Sequence, residues 1–166
     1  MHIKQARQDI LQWIQHFVET PRAELSGWPP CPYARQARLN DLIDIRTGGA
    51  DPYIDARSIT DMGSRDVIVV VYDPQEYPAA EFNSLIDHAN LAFLQGRGLI
   101  ALADHPADPE EVCGMIMNQG QYALMFVQDL AKLDNHAQQL AQKGFYDHWS
   151  EEYLQTLFRG RRDPRA

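Results

Sequence analysis

Cys31 is the residue whose type and setting most invite chemistry. It sits in Ser26-Gly27-Trp28-Pro29-Pro30-Cys31-Pro32-Tyr33-Ala34, among three prolines. Pro29 and Pro30 force an extended backbone. Pro32 suits the first turn of a helix, where its missing N–H costs nothing. A helix from Ala34 to Leu39 would place Cys31 at or beside its N-terminus. The positive end of the helix dipole favours a thiolate there and lowers the thiol pKa below its free value of about 8.5. A nucleophilic or redox thiol also needs a base or a resolving partner.

His105 is the candidate base. It follows the apolar run Leu99 to Ala103, at the mouth of a strand where sheet proteins place their sites. Its ring is the side chain whose charge ordinarily changes near neutral pH. Asp104 can orient that ring, although neighbours at a strand end often point apart. Trp28, Tyr33, Asp104 and Asn118 complete the set as candidate substrate-binding residues. Each candidate has a plainer reading. Free cysteines are among the most buried residues and act as small hydrophobes. A His-Pro pair can simply hold a turn, with its ring bonded to the backbone.

Cys31, His105 and Cys113, with His88 or Asp104, supply enough ligand types for a metal. No close Cys-x-x-Cys or His-x-x-x-His pair accompanies them, so no metal site is expected. No glycine-rich phosphate loop follows a strand, which lowers the odds of nucleotide binding, and no cofactor is favoured. His2, His16, His136 and His148 read as solvent-facing or satisfied.

These residues need a scaffold. The chain has 166 residues and 45% hydrophobic content, enough for one domain with a real core. The expected domain covers residues 1–158, and residues 159–166 form a flexible basic tail. That tail holds four Arg and one Asp, whereas the first 158 residues carry 11 Lys/Arg against 22 Asp/Glu. The total charge of −8 argues against nucleic acid as a partner. No apolar run is long enough for a membrane span, and Met1 to Thr20 is too polar for a secretory signal. Two cysteines 82 residues apart read as free thiols of a cytoplasmic protein.

Ile10, Trp13, Ile14, Phe17 and Val18 form a helical stripe that Pro21 ends. Leu42 to Arg46 and Val67 to Tyr72 read as strands. Pro78 to Gln95 reads as a helix and Leu99 to Ala103 as a further strand. Asp108 with Glu110 and Glu111 predicts a short helix to about Met117. Tyr122 to Val127 is a strand, followed by helices from Asp129 to Lys143 and from Asp147 to Phe158. The last presents Trp149, Tyr153 and Phe158, an aromatic stripe that can serve a homodimer or another partner protein. The order predicts an α/β fold of the α+β kind. It would be a split βαβ, ferredoxin-like two-layer sandwich with extra N- and C-terminal helices. A parallel doubly wound sheet is the alternative.

In this order the motifs resemble those of an uncharacterised bacterial domain family. Cys31-Pro32-Tyr33-Ala34 is similar to its Cys-Pro-aromatic-Ala motif. Leu99 to Ala103 with His105-Pro106 resembles its strand and His-Pro turn, and Asn118 to Val127 its Asn-headed strand. The resemblance runs from the first helix to about residue 140. Where the family has Arg, Ser and Pro after the Asn, and a His in the next strand, this chain has Gln119-Gly120-Gln121 and Phe126. A charged or metal-binding site built on those residues would be incomplete here. The resemblance supports the fold, draws attention to Cys31 and His105, and implies no reaction. Two readings of function follow: a small binding or accessory domain with a pocket near Cys31 and His105, or a thiol-dependent enzyme or redox sensor using both.

Overall fold

Val67–Tyr72 is β-branched at every position but the last, and all but its first residue is buried. Such a strand needs neighbours on both faces. A computed structural model describing residues 1–166 supplies them. The strands are β1 (Ile43–Thr47), β2 (Val67–Tyr72), β3 (Leu99–Asp104), β4 (Glu111–Val112), β5 (Met115–Ile116) and β6 (Ala123–Asp129). The α-helices are α1 (Ile3–Trp13), α2 (Ala34–Leu39), α3 (Pro52–Ser58), α4 (Ala79–Ala89), α5 (Leu130–Gln142) and α6 (Glu151–Leu157).

The main sheet is mixed, with order β1-β2-β6-β3. β1 and β2 are parallel, and β6 runs antiparallel to both β2 and β3. α4 therefore joins two strands of like direction, and β6 fills the gap between them. This is a split βαβ unit, in an α+β fold as expected. The antiparallel β6 excludes the wholly parallel, doubly wound alternative.

Alternation assigns the two faces. Ile68, Val70, Tyr72, Ala101, Met125 and Val127 face α3 and α4, where Phe82 and Ile86 complete a continuous core. Ile43, Ile45, Val69, Val71 and Leu124 face α1, which packs Ala6 and Ile10 onto them. The N-terminal helix thus covers a second face, and its last turn widens into π-helix over Ile14–Val18. A third cluster joins Ala137 and Leu140 of α5 to Phe145, Tyr146, Leu154 and Phe158. The aromatic stripe of the last helix belongs to this cluster. Trp149 packs on Phe145 and Tyr146, and Phe158 on Tyr146, so the stripe turns toward its own chain.

The segment Asp108 to Met117 is not helical. β4 and β5 form a hairpin whose turn is Cys113-Gly114, both with positive φ (50° and 82°). The glycine takes the left-handed conformation at no steric cost, and two such residues in sequence close a two-residue hairpin. The acidic residues that suggested a helical first turn serve a loop instead. The final helix begins at Glu151, capped by the Ser150 hydroxyl accepting from Tyr153 N–H, later than the sequence predicts. The basic tail, read from sequence as flexible, is tied back by ion pairs. Arg161 reaches Asp134 at 2.8 Å with its side chain only 3% exposed, and Arg165 reaches Glu151.

The loop from β1 to α3 contains Gly48 and Gly49, but its amides are already engaged. Gly49 and Ala50 donate to the Asp55 carboxylate, which also accepts from Tyr72 OH at 2.8 Å. A side chain at Gly48 would collide with the Tyr72 ring. The position an external anion would take is filled by the chain's own carboxylate.

β3 lies at the sheet edge, where unpaired backbone groups invite further strands. Buried Asn90 answers this at one point. Its Nδ2 donates to Ala101 O and its Oδ1 accepts from Ala101 N–H, both at 2.8 Å. The amide does for Ala101 what a fifth strand would do. Asn90→Ala leaves both groups buried without partners and is expected to lower stability by about 2–4 kcal/mol. Urea unfolding measures this, and a loss below about 0.5 kcal/mol would contradict the role given to Asn90.

Candidate functional site

β3 ends by sending consecutive residues to opposite sides. Asp104 continues the series of Ile100 and Leu102 on the α1 face. His105 turns to the α4 face and packs against Phe82, ring centroids 5.7 Å apart. Its Nδ1 accepts from Ala107 N–H at 3.1 Å, so its Nε2 carries the proton and donates to Tyr77 O at 2.8 Å. Both ring nitrogens are held by backbone, and the residue is buried. His105 closes the turn after β3.

Cys31 lies on the other face. Its N–H donates to Val18 O at 2.9 Å, which ties the proline loop to the end of the first helix. The thiol lies beside the start of α2 at Ala34, as expected, with the amides of Tyr33 and Ala34 bonded to its sulfur. Burial pushes its pKa up, and hydrogen bonds from the Tyr33 and Ala34 amides only partly offset this. The structure therefore does not bring Cys31 and His105 together, and the thiol has no base. In a Cys113→Ser background, Cys31 should alkylate more slowly than a free cysteine across about pH 6 to 8. A rate above that of the free amino acid would show a depressed pKa and reverse this assignment.

What Cys31 does line is space. A cleft of about 690 Å³ runs along the β3 edge, floored by Ile100, Leu102 and Phe126. Trp13, Phe17 and Val18 wall one side, and Tyr153 and Leu157 of α6 another. A smaller pocket of about 220 Å³ reaches between α1, α2 and α5 toward Val67 and Val69. Trp13, Val18, Cys31 and Phe126 line both cavities, so the two adjoin at the thiol. The smaller pocket has the Lys132–Asp66 ion pair and His136 among its polar residues. Burial lowers the His136 pKa, with Lys132 adding to the effect.

The other predicted binding residues are mostly structural. Trp28 packs edge-on to Phe145 at 5.6 Å and lines neither cavity. Tyr33 stacks on His136 at 3.7 Å and its hydroxyl donates to Gln139, which places its ring at the side of the smaller pocket. Asn118 is a clamp. Its Nδ2 donates to Asp104 Oδ1 at 2.9 Å, and its Oδ1 accepts from Glu110 N–H at 2.6 Å. Asp104 also accepts from Gln119 N–H at 3.1 Å.

Sequence reasoning missed Glu110. Read as a residue of a helical first turn, it instead faces the cleft, with Oε2 accepting from Tyr153 OH at 3.0 Å. Burial raises its pKa, the Tyr153 bond opposes this, and Asp104 and Asp108 add to it. Burial likewise raises Asp104, against its bonds from Asn118 and Gln119. The pairing of Glu110 with Tyr153, 43 residues away, leaves no mark in local spacing. No cluster of three His, Cys, Asp or Glu is arranged to hold a metal ion.

A carboxyl whose folded pKa is raised binds more protons folded than unfolded, so stability falls as pH rises through that range. Asp104 and Glu110 should therefore make the protein less stable as pH climbs from about 4, the ordinary carboxylate range, through their raised values. Glu110→Gln should flatten that slope in urea unfolding measured at several pH values. An unchanged slope would remove Glu110 as a contributor.

No protein-family model, curated protein or solved structure matches this chain.

Proposed function

We propose that this chain is a small-ligand binding or accessory domain, with its ligand held in the cleft between the α1 face of the sheet and α6. The observation that carries this reading is the meeting of the two cavities at Cys31, between Trp13, Val18 and Phe126. The larger lies within the ~300–1,000 Å³ range of ligand sites, with apolar walls and a few polar groups. Cys31 contributes a wall there, and His105 acts from beneath by fixing the turn that presents Asp104. The thiol-enzyme reading finds no support, since His105 lies on the opposite face of the sheet with both ring nitrogens on backbone, and burial raises the thiol pKa. Two free cysteines fit a reducing compartment, and we read the protein as cytoplasmic. Self-association through the last helix is not part of this reading, because its aromatics are used within the chain.

A neutral solvatochromic dye tests the cleft. Nile red should bind with a blue-shifted emission and quench Trp13. Leu102→Trp, which fills the cleft floor, should weaken binding by about tenfold or more, using roughly 1.4 kcal/mol per decade. Circular dichroism checks that the variant folds. Absence of dye binding, or equal binding by a folded Leu102→Trp protein, would overturn the proposal.

A further inference from the structure

The core on the α1 face is left unfinished. Trp13, Val18, Ala34, Val67 and Phe126 pack against its buried residues yet stay half-buried themselves. All five line the smaller pocket. Packed interiors hold few voids larger than a water molecule, because atoms that line a void lose contact partners. At about 220 Å³ this gap is well beyond that size. Its polar neighbours ask little of an occupant. Lys132 and Asp66 are paired with each other, and Asp129 accepts from Lys132 N–H. His136 stacks on Tyr33 at 3.7 Å, and burial favours its neutral form. No buried side-chain nitrogen or oxygen among the lining residues lacks a partner. What suits this pocket is hydrocarbon. The larger cavity differs, since Asp108, Glu110 and Arg159 bring charge to its lining. An occupant that runs past Cys31 from one cavity to the other is therefore apolar at one end and polar at the other.

We propose that the ligand of the cleft is an alkyl-chain amphiphile, its tail past Cys31 in the smaller pocket and its head group in the larger cavity. This rests on the cleft reading and names the ligand class. Each methylene that leaves water for the apolar walls adds about fourfold to affinity. The gain ends where the pocket is full, so the protein reads chain length. A ligand without a chain leaves the half-buried side chains of the α1 face as exposed as before.

Hexyl, octyl and decyl glucoside share one bulky, neutral head and differ only in tail length. Calorimetric titration below their micelle concentrations should show affinity rising about tenfold or more from hexyl to octyl, the effect of two buried methylenes. Ala34→Leu and Val67→Leu narrow the smaller pocket from α2 and from β2, and neither residue lines the larger cavity. In either variant decyl glucoside should lose about tenfold or more, while Nile red uptake stays within about twofold. Circular dichroism checks folding, and two variants on different walls keep the test open if one does not fold. Equal affinity of the three glucosides would overturn the tail assignment. So would undiminished decyl glucoside binding by a folded variant. Either result leaves the cleft reading intact where Nile red still binds. Failure of the dye as well would remove the cleft reading and this inference together.

Discussion

A strand presents successive side chains to opposite faces, and the end of β3 turns that rule into the logic of the site. Asp104 falls on the face with the cleft, and His105 falls on the face with the core. The one-residue step separates a buried acid on the cleft side from a ring locked under α4. Asn118 then fixes the loop by bonding Asp104 and the backbone of Glu110 together. The position of every carboxylate at that end of the cleft depends on this arrangement.

Strong local patterns were legible from sequence. The β-branched run of β2 and the helical stripe of α4 declared themselves, because burial of a strand or a helix face writes its own period. The split βαβ arrangement could be read from element order, since α4 is long enough to carry the chain over a gap. The hairpin at β4 and β5 could not. Its acidic start imitates a helix N-terminus, and the deciding facts are the left-handed conformations of Cys113 and Gly114.

The site was half legible. Cys31, Asp104, His105 and Asn118 were singled out by type, and all four sit near the end of β3 or the rim of the cleft. Their roles were not legible, because a role depends on which face a residue meets. Burial at Cys31 outweighs the two amides that favour its thiolate, a competition that spacing does not encode. Glu110 was invisible for a related reason. What distinguishes it is a bond to Tyr153 across the cleft.

The place of β6 has a consequence for the order in which the molecule can be made. β2 and β3 are complete by residue 104, yet they do not touch, and the strand between them ends at Asp129. A growing chain therefore carries an open slot between two parallel strands while about 25 further residues are synthesised, the interval set by that topology. The edges that border the slot are apolar and uncovered during this interval. Only β6 closes both edges, because it is the one strand paired to β2 and to β3.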